Sequence, residues 1–219
     1  MKDAIRELFN DEEISPVVRE NLHEEFAHGI LVSNLAVLLA KELGQDSTFC
    51  KEIAIAGVLH DIGKLKISKY LEATKEDTLI IEQMKYVRMH STFSYNILKR
   101  EGFSDLVTSS VYHHHENYDG SGYPDSLKGE KIPFGARILR TCDVFSALVS
   151  RRSYRDAFDV ETTVELMIDE VTNYDMRVFL AFQRVLHSDN FISVSDLKSR
   201  ISSTQMAAVK LFEKEAMAL

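Results

Sequence analysis

Proline and glycine are scarce, three and nine residues in a chain of 219. So few turn formers leave little material for many short strands, and they favour long helices. Cysteine is rarer still: Cys50 and Cys142 are far apart and unpatterned, which predicts two reduced thiols. No apolar stretch reaches the roughly 18 residues of a membrane span. The charged start, Met1-Lys2-Asp3-Ala4-Ile5-Arg6-Glu7, lacks the apolar core of a secretory signal. These absences predict a cytoplasmic site of action, without membrane contact. Positive charge is also short: 26 Lys and Arg against 34 Asp and Glu give a formal charge of −8. That excludes a general nucleic-acid surface, which needs a basic face, but leaves room for a small anionic ligand met by a local basic cluster. With 45% hydrophobic and 27% charged residues, the composition is that of a globular protein, able to bury about 70% of its unfolded surface.

Helical periodicity dominates what is present. Ser15-Pro16 reads as an N-cap and first helical residue. Val18, Leu22, Phe26, Ile30, Leu31, Leu35, Leu38 and Leu39 then recur at helical spacing as far as Gly44, predicting a helix ~40 Å long at ~1.5 Å per residue. Asp46-Ser47 caps a second helix whose Ile53, Ala56, Val58 and Leu59 run into His60-Asp61, with Gly63 as its end or kink. Residues 76–90 (Leu79, Ile80, Met84, Val87) and 104–116 (Leu106, Val107, Val111) predict two more amphipathic helices. A loop rich in Gly, Asn and Asp spans 117–132, and Pro133 restarts a helix carrying Ala136, Ile138, Leu139, Val144 and Leu148. Segments 160–171, 175–187 and 204–218 complete an all-α chain. No repeat or linker interrupts it, so one domain over residues 1–219 is expected, its core about 20–185, with additional C-terminal helices in 190–219.

The most informative stretch is His113-His114-His115-Glu116-Asn117-Tyr118-Asp119-Gly120-Ser121-Gly122-Tyr123-Pro124. Three adjacent imidazoles beside a carboxylate are rarely needed for packing. A divalent cation does need them, because imidazole nitrogen and carboxylate oxygen are ligands of borderline and hard metals. A second ligand-type pair, His60-Asp61, precedes Gly63 and Lys64. Glu24 and His28 are four residues apart and share a helical face, with Glu25 and His28 as the competing pair at three-residue spacing. His90, His114-His115 and Asp143 add further ligand types. A lone histidine at a helix end is more often solvated or hydrogen-bonded, but ligands from five segments reverse that balance, and helical bundles build dinuclear sites in this way. The chain reads as a metal-dependent hydrolase.

His60-Asp61-Ile62-Gly63-Lys64 resembles the signature of HD-domain phosphohydrolases. His114-His115-Glu116, then Asp119-Gly120-Ser121-Gly122-Tyr123-Pro124, Leu127, Gly129, Ile132-Pro133, Ala136-Arg137-Ile138 and Asp143-Val144 resemble the HD-GYP subgroup, over roughly residues 20–185. The resemblance implies an all-α HD-domain bundle with inward-facing metal ligands. It implies hydrolysis of cyclic dinucleotides, typically cyclic di-GMP to pGpG or GMP, with two or three iron or manganese ions. By the same resemblance Asp61 bridges two metals, with His60, His90, His114, His115 and Asp143 as further ligands. Glu24 and His28 match a Glu-x-x-x-His pair that helps hold a third metal in some members. Lys64 matches the lysine that contacts the scissile phosphate, so Asp61 and Lys64 are the expected catalytic residues. Arg152 and Arg155 match basic residues that bind substrate phosphates. The Gly122-Tyr123-Pro124 loop is expected first to shape the site. It is also similar to one implicated in contacts with diguanylate cyclase domains. His113 reads as an exposed helix residue, His23 and His187 as surface or core-edge histidines, and Arg137 as partner of a buried carboxylate, Glu116 or Asp119.

Elementary chemistry agrees. The anionic oxygens of a phosphodiester repel nucleophiles; two cations ~3.5–4 Å apart bind those oxygens and turn water into hydroxide near neutral pH. Lys64, Arg152 and Arg155 would add positive charge where the transition state gains negative charge. Several positions depart from the family: Ser146 stands where Asp is common, Ser68 and Ser153 where proline is, and Ser94 where glycine is. None is an expected ligand. The stretch before His28 is too short for a sensory or receiver domain, so regulation is expected from a partner, the C-terminal helices or the redox state of the metal. Three functions stay open on sequence: a cyclic di-GMP phosphodiesterase, a non-catalytic effector that keeps its metals and binds a nucleotide or protein, and a phosphohydrolase for another nucleotide.

Overall fold

The computed structural model describes residues 16–66, 88–151, 155–188, 191 and 193–217. Among them every regular element is helical: α1 (Pro16–Glu42), α2 (Ser47–Leu59), α3 (His90–Arg100), α4 (Asp105–Tyr112), α5 (Phe134–Leu148), α6 (Val160–Asp169), α7 (Met176–Leu186), α8 (Val194–Ser199) and α9 (Ser203–Met217). Short 3-10 turns lie at Gly129–Lys131 and Val171–Asn173. The expected all-α class is the observed one. Ser15, the segment carrying Leu79, Ile80, Met84 and Val87, Ser68, Arg152 and Ser153 lie outside the described residues.

Local chemistry accounts for the helix ends. Gly44 adopts φ 73°, and its N–H donates to the Lys41 carbonyl while that of Gln45 donates to Ala40, both at 3.0 Å. This is the left-handed glycine closure of α1. Asp46 then caps α2 by accepting the Phe49 N–H at 2.8 Å. From Phe26 onward the stripe expected on α1 supplies the centre of the core: Phe26, Ile30, Leu31, Leu35 and Leu39 are at most 1% exposed. α1 packs on α2, α5, α7 and α8, while α4 bridges α2, α3 and α5. The burial of these side chains, about 1.5–3 kcal/mol each, holds α1 as the axle around which the ligand-bearing segments are arranged. Cys50 and Cys142 are free and buried. No helix among the described residues is long and apolar enough to cross a membrane.

Two helices stop earlier than their patterns predict. α2 ends at Leu59 and α4 at Tyr112, so His60, Asp61, His114 and His115 all stand on turns. One expectation is corrected outright. Arg137 pairs with Asp175, its Nη1 lying 2.5 Å from Oδ2, and not with Glu116 or Asp119. Glu116 is committed to the N–H groups of Asp125 and Leu127, and Asp119 to Ser121. Asp175 also accepts the Arg177 N–H at the start of α7, so it serves two roles that periodicity does not reveal.

Candidate metal centre

The turn after α2 is held by short-range bonds from the Ile62 N–H to Leu59 and from the Lys64 N–H to Asp61. Glycine is required within it. A Cβ on Gly63 would lie 2.2 Å from the His90 carbonyl oxygen and 2.6 Å from the Ser94 nitrogen, so only the bare backbone lets the first turn of α3 come this close. Ser94 sews the two together: its hydroxyl donates to the His60 carbonyl (2.9 Å) and accepts the Gly63 N–H (2.8 Å). His60, Asp61 and His90 are thereby fixed relative to one another.

The second ligand turn is shaped in the same manner. Ser104 caps α4, and beyond Tyr112 the chain turns through His113–Glu116, closed by the Glu116 N–H on the His113 carbonyl. The Gly122-Tyr123-Pro124 loop returns against it so closely that a Cβ on Gly122 would lie 2.2 Å from the Asn117 nitrogen. Tyr123 donates its N–H to the His115 carbonyl and stacks on the His115 ring at 4.8 Å, with the Arg88 guanidinium 5.2 Å from its centre. The loop therefore braces His115. His113, expected to be exposed, is instead partly buried and held between the Ser109 carbonyl and Asp125.

Ligand atoms from five segments converge into two adjoining groups: Asp61, His90, His114 and His115, and His28, His60 and Asp143. The Asp61 carboxylate faces both. Its Oδ1 lies 3.2 Å from His90 Nε2 and 3.8 Å from His114 Nε2, and its Oδ2 lies 3.2 Å from His60 Nε2. Asp143 Oδ1 lies 2.9 Å from His28 Nε2 and 3.6 Å from His60 Nε2. Two imidazoles are aimed from behind: Nδ1 of His60 is 2.9 Å from the Gly57 carbonyl and Nδ1 of His114 is 2.6 Å from that of Val111. A carbonyl can only accept, so each Nδ1 carries the proton and each Nε2 points its other face into the cluster.

The protonation states suit cation binding. Burial alone would raise Asp61 and Asp143, but His60, Lys64 and His90 around Asp61, and His28 and His60 around Asp143, hold both well below the usual carboxylate range. Burial and the neighbouring imidazoles push His114 well down, and burial foremost takes His115 to about 3. His60 is the exception. Burial opposes its charge, yet Asp61 and Asp143 overcome this and raise it to about 10. His60 Nε2 and Asp61 Oδ1 are buried with no aligned hydrogen-bond partner among the described residues, and Nε2 of His90 lies 3.3 Å from that of His114 and 3.0 Å from that of His115. Crowded ring nitrogens and unpartnered buried polar atoms of this kind are what a bound divalent cation would satisfy. The residues present fit a metal cluster.

Not every expected site residue joins it. Glu24 is exposed and belongs to neither group, although it lines one small cavity with His28. Glu25 instead pairs with Lys64 at 3.1 Å, and Lys64 also lies 2.6 Å from Asp61 Oδ2. Burial opposes the Lys64 ammonium, but these two carboxylates raise its pKa above the usual lysine value. Arg155 is turned to the end of α5, donating to the Ala147 and Leu148 carbonyls with Phe158 beneath its guanidinium. Two nearby residues escaped the sequence reading, Arg140 and Tyr174, while Asn117 stood inside the His113–Pro124 stretch without a role of its own. Arg140 left a signal, a charge in an apolar helix one turn ahead of Asp143.

A model of the HD domain family matches residues 12–178. Similar curated proteins include the cyclic di-GMP phosphodiesterase response regulator RpfG of Xanthomonas campestris, 36% identical over 135 residues, or 61% of this chain and 35% of that one. A cyclic di-GMP phosphodiesterase of Pseudomonas aeruginosa is 31% identical over 173 residues, covering 78% of this chain and 42% of the relative. The 3'3'-cGAMP-specific phosphodiesterase 1 of Vibrio cholerae is 35% identical over 156 residues, covering 70% and 36%. The chain thus matches only 35% to 42% of the length of these relatives. Among solved structures, a cyclic GMP-AMP-specific phosphodiesterase of V. cholerae superposes with a TM-score of 0.65 at 16% identity, covering 90% of this chain and 58% of that one. An HDG"Y"P protein from Bdellovibrio bacteriovorus gives 0.61 at 18% identity, covering 86% and 58%. At those identities the likeness is one of fold. The match establishes that this chain belongs to the HD domain family.

Proposed function

We propose that the chain is a metal-dependent phosphodiesterase that hydrolyses cyclic dinucleotides, cyclic di-GMP to pGpG or GMP foremost, acting as one domain in the cytoplasm. The observation that carries this reading is the Asp61 carboxylate, each of whose oxygens faces a different imidazole group. Divalent cations held there, two or three and of iron or manganese by resemblance, would neutralise phosphodiester oxygens and supply hydroxide near neutral pH. His60, Asp61, His90, His114, His115 and Asp143 are the proposed ligands. His28 completes the second group, and Glu24, on the same cavity as His28, would assist with a third ion. Lys64 keeps its proton between Asp61 and Glu25 and would donate to an oxygen of the scissile phosphate. Relatives named for both cyclic di-GMP and 3'3'-cGAMP support guanine-containing cyclic dinucleotides as the substrate class. A diguanylate cyclase docking on the Gly122-Tyr123-Pro124 loop would meet its outer edge, since Tyr123 is stacked inward on His115.

A second reading, an effector that binds without turnover, is favoured by one observation: Arg155 would reach substrate phosphate only after leaving the α5 carbonyls. The test separates the two. Protein purified anaerobically should hold about two equivalents of iron or manganese and convert cyclic di-GMP to pGpG or GMP, followed by chromatography. Asp61→Ala should abolish both. Binding without product would establish the effector; less than about one equivalent of metal would overturn the dinuclear site.

A further inference from the structure

With Arg155 serving as a helix cap, a different cation stands beside the cluster. Arg140 lies on α5 one turn ahead of Asp143 and is half-buried. Its Nε donates to Asn117 Oδ1 at 3.0 Å, and Asn117 is in turn anchored by its own amide on Ser121 Oγ at 2.9 Å. Among the described residues neither Nη has a hydrogen-bond partner, and no carboxylate lies within ion-pair distance. Arg137, one turn earlier, shows the ordinary arrangement, bonded to Asp175 and to the Ile132 carbonyl. A half-buried guanidinium without a counter-ion is costly unless an anion meets it.

The surroundings indicate what that anion touches. Asn117, which holds the Arg140 Nε, follows His115 by two residues, and the next residue, Tyr118, donates its N–H to the Asn173 carbonyl at 2.9 Å, so Arg140 lies against the segments that carry His115 and Tyr174. Tyr174 is 3% exposed, and its hydroxyl has no hydrogen-bond partner among the described residues. Lys64 stands at the Oδ2 side of Asp61, whereas Arg140 lies on the His115 side. The two cations flank the cluster.

We propose that Arg140, with Tyr174 on the adjoining segment, receives the phosphate of a cyclic dinucleotide that is not being cleaved, and so acts as a specificity-determining residue. The inference rests on the phosphodiesterase reading above. Asn117 holds the Nε edge, leaving the two Nη groups as a preset fork for phosphate oxygens. A monoanionic diester with one phosphate cannot use both ends of the site.

Two measurements on metal-loaded protein test this. In the wild type, phenylglyoxal modification of each arginine is followed by peptide mass spectrometry with inorganic phosphate or cyclic di-GMP present. Both should slow modification of Arg140 about tenfold, leaving the exposed Arg184 unaffected; an unchanged rate at Arg140 with both anions overturns the inference. Protection by phosphate without hydrolysis of any cyclic dinucleotide would retain Arg140 as an anion site and overturn the phosphodiesterase reading instead. In Arg140→Gln, KM for cyclic di-GMP should rise about 10- to 100-fold with kcat within about twofold. Metal content should be unchanged, and the rise in KM for bis(p-nitrophenyl) phosphate should be at least about fivefold smaller. Arg140→Lys should recover part of the loss. Equal losses on both substrates, or none, would overturn the proposal.

Discussion

Ser94→Ala removes one oxygen atom and, with it, the bridge between the His60-Asp61 turn and the helix that begins at His90. Ser94 is fully buried, and its hydroxyl serves two backbone groups, the His60 carbonyl and the Gly63 N–H. Losing the bond to the carbonyl costs about 1 kcal/mol, and leaving the buried Gly63 N–H unsatisfied costs about 1–3 kcal/mol more. Serine and alanine differ little in volume, so no cavity cost is added. The sum is about 2–4 kcal/mol. In a protein of this size each kcal/mol moves Tm by about 2–4 °C, giving a fall of about 4–16 °C. Urea unfolding of metal-free protein should show the loss as a lower midpoint at constant slope. Metal affinity should weaken about 10- to 100-fold, because the bridge holds ligands from two segments in register. A serine hydroxyl with only a local bond, Ser109 on the Leu106 carbonyl, supplies the control: its alanine variant should stay within about 0.5 kcal/mol. A Ser94→Ala variant equally unaffected in stability and metal affinity would refute the argument.

Metal loading should release protons. Metal-free His60 is held protonated to about 10 by Asp61 and Asp143 against burial, and a ligand imidazole must lose that proton. At pH 8 each chain should therefore release about one proton on binding, read by calorimetry in buffers of different ionisation enthalpy. The sign follows from the raised value. The stabilisation of the metal-free fold by His60 is complete below its ordinary 6.5 and is lost as pH rises through about 10, so metal binding should tighten across the same window. Proton uptake, or none, would contradict the placement of His60 between two carboxylates. Gly122→Ala should push the loop off the Asn117 backbone, destabilising by about 1–3 kcal/mol and unstacking Tyr123 from His115. A change in tyrosine near-ultraviolet circular dichroism would report it, and an unaltered spectrum with unaltered stability would count against the close approach.

Much of this protein was legible because helix signals are local. Apolar spacing from Phe26 to Leu39, the left-handed Gly44 and the Asp46 cap each act within a few residues, so α1 ends and α2 begins where the pattern puts them. Ligand chemistry was legible for a similar reason: imidazoles and carboxylates beside breaker glycines announce a cation whatever their positions in space. Where α2 and α4 stop was decided elsewhere, by backbone contacts of Gly63 with His90 and of Gly122 with Asn117, since a close approach across the fold leaves no periodic trace. Partner choice was also tertiary. Glu25 rather than Glu24 meets Lys64, Arg137 finds Asp175, Arg155 turns to the α5 carbonyls, and Arg140 meets Asn117. Periodicity states which face of a helix a charge occupies. Which opposite charge lies across from that face depends on how the helices cross, and that is set only when the core closes.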